Sequence, residues 1–512
     1  MPNSCLKIVL NLLLFGGFQM NHLSAQQDCY YRFLQEGIEA YRNFDFEAAR
    51  KKFSAAKICP DIPNNDDLDI WFERLRSGYQ EVLKEFKEET DSILLVLDSL
   101  RTKSRAIENQ IAISDSEMFL NNAKNKDLPI EERAFLGLMG LEFYSKTNEE
   151  LINDEYLNTI FNLLFQGAEN FNTLLPSFFG QWNSLIVDEE MLYIAGINGS
   201  IGKINLSKLP EKTQPLNDLI SIEPYSIKSL SISHDHNILA VGGESPYLYL
   251  LNLKKWGITD SLILHETHPI WNVAFHPKEM ILYSTGNDGN LRFLDLRKNS
   301  FINGKLLSNV QYPGKLGISP SGNLLGVLYG NNSFKYINLL RNDVREIIGP
   351  KGDKITSFAF LQDDKKIIFG TQNGYLIIYD VIQKQSLFQR IHHLGVKEIK
   401  VVENNSFVLT IGYDRKIVLT DITNLKIALS IDISPDVWSQ TNNDWPICLD
   451  YDLKEKNIYV GYGNGSIRVW PLNNKKIREM LCEKIGNNNF ESFWKSRIGA
   501  KIDFYNPCSE IK

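Results

Sequence analysis

Two hydrophobic periods divide this chain. From Cys29 to about residue 175, apolar residues return every three or four positions, the spacing that lines one face of a helix. In "FLQEGIEAYRNFDFEAARKKFSAAKICP" the spaced residues are Phe33, Gly37, Tyr41, Phe46, Ala49, Phe53 and Ala56. They predict two amphipathic helices, with glycine and alanines permitting close approach and aromatic rings filling the hairpin between them. Cys29 opens the first helix and Cys59 follows the second. An antiparallel hairpin brings those ends together, so a disulfide fits sterically; two unpaired cysteines are the other reading.

From about Asp66 to Lys124 the pattern stays helical and contains no proline. Tyr79, Phe86, Ile93, Leu100 and Ile107 recur every seven residues, with Leu83, Leu97 and Ile111 offset by four and Thr90 and Ser104 interrupting the second row. Such a heptad-like stripe suits a helical stalk or a homodimer through the long helix, and equally a helix folded back on its own domain. "PIEERAFLGLMGLEFYSK" and "NDEYLNTIFNLLFQGAENF" predict two more helices, with Pro129 near the first helical position and Glu131 and Glu132 in the first turn.

At residue 181 the helical period stops, and runs of β-branched and aromatic residues alternate with Gly, Asn and Asp turns. A glycine, a turn and an apolar run recur as "GINGSIGKIN", "GGESPYLYLLN", "GNDGNLRFLD", "GNNSFKYIN", "GTQNGYLIIYD", "GYDRKIVLTD" and "GYGNGSIRVWP". These segments end at Asn205, Asn252, Asp295, Asn338, Asp380, Asp421 and Pro471, at separations of 47, 43, 43, 42, 41 and 50 residues. That period is the length of a four-stranded propeller blade, and seven such units close a ring.

The segments resemble WD40 repeats over about residues 177–478. Leu294-Asp295, Tyr379-Asp380 and Thr420-Asp421 stand where that family has Trp-Asp, and Trp470-Pro471 keeps only the Trp. "IWNVAFHP", "KITSFAFLQ" and "KLGISPSG" match its innermost strand. The family's polar network joins a loop His, a Ser or Thr, an Asp and the Trp. For the loop His, His268 and His392 or His393 are the candidates; no blade shows all four members, so the blades are expected to rely mainly on apolar packing, with no buried polar chain as a catalytic device. A strand within "NTLLPSFFGQWNSLIV" is expected to complete the last blade. The N-terminal hairpin, in turn, resembles a single tetratricopeptide repeat, with Pro60 one residue early for the usual terminator.

Composition is that of an ordinary globular protein, with 43% hydrophobic and 23% charged residues. A net charge of −7 argues against an extended nucleic-acid footprint, so no nucleic-acid partner is expected. The leader "MPNSCLKIVLNLLLFGGFQMNHLSAQ" has Lys7, an apolar run from Ile8 to Phe18, and Ser24-Ala25. This is the layout of a secretory signal cleaved after about Ala25, too short to span a bilayer and with Cys29 too far on for a lipid anchor. Export would put the remaining cysteines in an oxidising periplasm, cell envelope or extracellular space, with no transmembrane span after signal removal.

The chain carries no GxSxG, HExxH, P-loop or dinucleotide fingerprint. The eight histidines lack metal-ligand spacing, "HDH" at 234–236 falls in a turn, and Asp363-Asp364 and Glu189-Glu190 fall in turns as well. The expectation is therefore a non-enzymatic chain with no catalytic, metal or cofactor site. Loops entering the innermost strands are the usual docking face of such rings. There, counting back from the strand aromatics selects Tyr312, Lys354 and Trp445, with Tyr225 and Trp271 nearby. Exposed Tyr and Trp commonly anchor protein interfaces.

After the last repeat, Cys482, Asn488, Trp494, Tyr505 and Cys508 resemble, at similar spacing, a tail that follows the propeller in many bacterial WD40 signalling and scaffold proteins. The helical block from Ser114 to Leu175 resembles the segment preceding it. Their 26-residue separation is unlike CxxC, and export favours a Cys482–Cys508 disulfide pinning Phe490, Phe493 and Trp494.

The reading is thus a multidomain α plus all-β chain: 1–25 signal, 26–62 hairpin, 63–175 helical region, 176–478 seven-bladed propeller, 479–512 tail. The function it implies is an envelope scaffold binding protein partners; a ligand-sensing regulator and a propeller hydrolase are the alternatives.

Overall fold

The computed structural model describes residues 29–59, 62, 66–145, 154–165, 173–175, 180–208, 218–222, 224–297, 302–307, 313–330, 332–361, 363–402, 406–432, 445–486, 488–497 and 504–510. The signal-like leader at 1–25, Pro60 and Tyr312 lie outside the described residues. Two compact units result, residues 1–108 and 109–512. No helix among the described residues is long and apolar enough to cross a membrane.

The first unit contains α1 (Cys29–Arg42), α2 (Phe46–Ala56) and most of α3 (Asp67–Ala123). Asp45 starts α2 by accepting a hydrogen bond from the Ala48 backbone N–H at 2.9 Å, satisfying one of the donors a helix start leaves open. Gly37 is what lets α1 and α2 touch, since a Cβ there would sit 2.5 Å from the Phe53 ring. Tyr30, Leu34, Ala49, Phe53, Leu68 and Leu75 form the core, with Trp71 stacked on Phe53 at 6.0 Å. Cys29 and Cys59 are joined in a disulfide, their Cα atoms 5.7 Å apart. Beyond this core α3 runs on with its heptad stripe in water: the helix is not folded back over Leu83, Phe86, Ile93, Leu97, Leu100 or Ile107, all exposed.

The second unit is the ring and the helices against its flank. Seven antiparallel four-stranded sheets follow one another. The first six span residues 182–221, 227–263, 270–307, 313–348, 355–390 and 396–432, and the seventh joins 446–471 to 173–175. Each of the seven marker residues from Asn205 to Pro471 is the last residue of its blade's third strand. Second strands such as Ile238–Gly243 and Phe407–Gly412 are buried over five of six positions, because neighbouring blades cover both faces. That double burial is why they read as unbroken apolar runs. Closure is as expected: Thr173–Leu175 pairs antiparallel with Ile467–Pro471 as the outer strand of blade 7.

Apolar packing between blades has two polar exceptions, neither with the family's Trp. Two blades do carry buried polar networks. His265, in the loop entering blade 3, holds Asp288 with Nδ1 at 2.8 Å and Ser284 with Nε2 at 2.9 Å. His392, entering blade 6, holds Asp414 at 2.8 Å and Thr410 at 2.9 Å in the same way. Both imidazoles are buried. His268, the sequence candidate in blade 3, instead sits three residues on, with Nδ1 3.3 Å from the His265 carbonyl. In blade 3 Arg292 joins the network, its guanidinium 3.1 Å from Asp288.

Four further helices or helical segments cover blades 6 and 7: α4 (Ile130–Tyr144), α5 (Asp154–Phe165), α6 (Asn474–Ile485) and α7 (Glu491–Arg497). They share one core with the ring, in which Phe490 stacks on Phe135 at 4.6 Å and Trp494 on Phe119 at 5.5 Å. Phe161 of α5 meets the edge of Trp470, the one marker Trp, at 5.4 Å. Polar ties reinforce the seam: Asn158 Nδ2 donates to the Ser430 carbonyl at 2.6 Å, and Lys484 Nζ to that of Leu164 at 2.9 Å. Cys482 and Cys508 are disulfide-bonded, and Cys448 is a buried thiol on the innermost strand of blade 7, Pro446–Asp452.

Candidate functional site

The ring has two sides. One carries the loops entering the innermost strands together with the turns between second and third strands. Tyr225, Trp271, Lys354 and Trp445 all lie on this side, each within two residues of the start of an innermost strand.

Trp445 is 37% exposed one residue before its strand, and the guanidinium of Arg415, from the blade 6 turn, lies 4.2 Å from its ring centre. Tyr413 of the same turn is exposed beneath the Lys397 ammonium at 5.8 Å, and Leu394 is exposed next to them in sequence order of the blade 6 entry loop. On blade 1 Ile197 is exposed, and on blade 2 Tyr225 and Tyr247. Trp271 of blade 3 is half-buried: its Nε1 donates to Asn287 Oδ1, and Lys228 lies 5.9 Å above its ring while pairing with Glu244 at 3.0 Å. Blades 6, 7, 1, 2 and 3 are consecutive around the ring, so these side chains make an arc of apolar and aromatic surface. Cations lie over three of its rings, each able to add on the order of 0.5–1 kcal/mol at an exposed site. Lys354 is exposed on blade 5, beside the end of the arc at blade 6. Tyr413, Ile197 and Tyr247 escape a count back from the innermost strands because they lie at the turns between second and third strands, which share the same side; Leu394, in an entry loop, is aliphatic and escapes a choice of aromatic anchors.

The central channel is a different environment. Lys315 on blade 4 reaches past Ser357 of blade 5 to Glu398 of blade 6, with Nζ 3.0 Å from Oε1. Glu398 Oε2 also accepts the Leu449 backbone N–H at 3.0 Å. Lys400 pairs with Asp450 at 2.8 Å, and Asp450 Oδ2 accepts the Val187 N–H at 2.9 Å. Burial by itself would raise the Glu398 carboxyl, but the charge of Lys315 and its hydrogen bond outweigh that and hold it low. Burial likewise opposes the Lys400 charge, and Asp450 overcomes it, so the ammonium is held above its ordinary range. Two lysines face two carboxylates, and the pairs tie blades 4, 6, 7 and 1 across the middle. Held low, the Glu398 carboxyl is not poised near neutral pH as a general acid would be.

Elsewhere Glu189 and Asp364 occupy left-handed turn positions, as does His236, whose Nδ1 lies 2.6 Å from Asp188. Among the described residues no group of three His, Cys, Asp or Glu side chains is placed to hold a metal.

Residues 224–440 match the family model described as the Nucleolar protein 10-like, N-terminal domain, a β-propeller. The match runs over blades 2 to 6 and covers less than half of the chain. No curated protein matches the chain.

Proposed function

We propose that this chain is a non-enzymatic scaffold or adaptor of a bacterial cell envelope, docking a protein partner on the aromatic arc of its ring. The observation that carries the reading is the arc itself. Tyr413, Trp445, Ile197 and Tyr225 are large side chains left exposed over the consecutive blades 6, 7, 1 and 2, with cations above the first two. Large apolar surface left in water on a folded domain is characteristic of interaction sites. The channel, by contrast, already pairs its own charges, which disfavours a ligand sensor at the mouth. Export is supported by the leader sequence and by two disulfides, a bond type that persists in oxidising compartments.

The test uses the full chain as bait for crosslinking capture in envelope fractions of its source cells, beside a Tyr225→Ala/Trp445→Ala variant of unchanged circular dichroism. Each truncation is expected to cost about 1–2 kcal/mol of binding, so the double variant loses a specific protein partner. Recovery of the same partner by both baits sinks the docking face. Finding the chain in the cytoplasm with its leader intact sinks the envelope assignment.

A further inference from the structure

The exposed stripe on α3 is a separate matter from the ring, and its chemistry stands whether or not the ring docks a partner. Between Tyr79 and Glu108 the helix continues for 30 residues, about 45 Å at 1.5 Å per residue. Phe86, Ile93, Leu100 and Ile107 fall at every seventh position and are 55–69% exposed; Leu83 and Leu97, offset by four, are 52% and 45% exposed. Tyr79 begins the row, packed edge-on against Phe46 at 6.1 Å. In heptad terms the first row occupies d, and Leu83, Thr90, Leu97 and Ser104 occupy a, through four successive heptads.

We infer that α3 is the strand of a parallel bundle formed by identical copies of this chain. A single helix of this length cannot bury such a face within itself, and in proteins helices depend on burying their apolar side. Removing these side chains from water hides on the order of 800–1,000 Å² per helix, which meets the roughly 800 Å² per partner of a stable interface.

Charge and polarity set the direction. In the parallel arrangement Lys103 at g faces Glu108 at e of the next copy, an attractive pair repeated by symmetry. Thr90 then meets Thr90 and Ser104 meets Ser104, so the polar interruptions share layers. Both hydroxyls already have partners within their own helix, Thr90 on the Phe86 carbonyl at 2.7 Å and Ser104 on Glu108 at 3.2 Å, so the layers carry no unsatisfied donor. The antiparallel arrangement centred on the same stripe sets Lys87 against Arg101, which Glu89 against Lys103 offsets, and it sets polar Ser104 against Phe86 and Thr90 against Leu100, so the matched polar layers decide for the parallel order.

Width sets the number of strands. Leu97 at a lies beside Ile93 at d, a combination that favours three or four strands over two. Val82, Leu94 and Val96 at the flanking e and g positions are exposed and apolar as well, a face broader than one partner helix covers.

Sedimentation of the full chain tests this. Wild type is expected at the mass of three or four chains, and Leu97→Lys/Leu100→Lys at the mass of one, with unchanged thermal unfolding of the ring. Leu95→Lys, at the outward f position, is expected to leave the mass as in wild type. Ser104→Cys is expected to crosslink copies under mild oxidation, because parallel strands bring equal positions together. A monomeric wild type, or equal dissociation by Leu95→Lys, overturns the assembly; a two-chain mass overturns the wider bundle; failure of Ser104→Cys to crosslink an assembled chain overturns the parallel order.

Discussion

At the scale of single residues, the His265 and His392 networks show what the sequence held and what was passed over. In both blades the histidine precedes a hydroxyl by 18 or 19 residues, and an aspartate follows that hydroxyl by four. A search for that spacing finds both. A search for the family's Trp finds neither, since Leu294 and Thr420 stand there. The blade 3 network also makes stability depend on pH. Burial would raise the Asp288 carboxyl, but hydrogen bonds from Asn290 and His265 outweigh it and hold it at about 2. In the unfolded chain the same carboxyl takes its proton near 3.9, so between about pH 4 and 2 the unfolded chain binds more protons and stability falls. His265 acts in the same direction at higher pH. Burial lowers its pKa below 6.5, against the pull of Asp288, so the unfolded chain protonates first as pH drops through that range. Urea unfolding followed from pH 7 to 2.5 should therefore show declining stability. Asp288→Asn should flatten the decline below pH 4 while costing about 1.5–3 kcal/mol at pH 7 from the lost charged hydrogen bonds. An unchanged acid slope in that variant would assign the sensitivity to other carboxyls.

At the scale of elements, strands were legible and their coverings were not. The seven marker residues could be placed because a strand covered on both faces leaves a continuous apolar run ended by a turn. Which blades receive α4 to α7 could not be read, because a helix sequence shows that a face is buried without naming what buries it. The bonded cysteines were legible as candidates, and the structure adds what the second pair holds: Phe490 and Trp494 stay seated on Phe135 and Phe119 within a closed 26-residue loop. In the chain-entropy account that closure disfavours the unfolded tail by about 3.5 kcal/mol. Replacing Cys482 and Cys508 by serine should accordingly expose the segment after Ile485 to limited proteolysis before the blades are cut, as mapped by mass spectrometry. Cleavage appearing first within residues 227–432 would contradict a clamp local to the tail.

At the scale of the whole ring, closure depends on three residues. Thr173–Leu175 is the outer strand of blade 7, and Thr173 pairs with Arg468 across 295 positions of sequence. Deleting 173–175 should leave the Ile467–Pro471 edge unpaired, an open template for other chains, and gel filtration should show the variant shifted towards aggregates. A monodisperse deletion variant of normal melting temperature would mean that α5 and α6 seal the blade without it. Closure could be anticipated from the seven-unit count, since a ring must fasten somewhere, whereas the ion pairs across the channel could not: in each pair, Lys315–Glu398 and Lys400–Asp450, the two partners come from different repeats and leave no local signature. The closing pair also imposes an order on biosynthesis. The ribosome makes residues 173–175 before any of the seven blades, and their partner strand after six of them, so that early segment must wait unmatched through nearly the entire translation of the ring. A premature stop anywhere before codon 467 would leave it without a mate, and a shortened product would meet quality control as an unfinished circle.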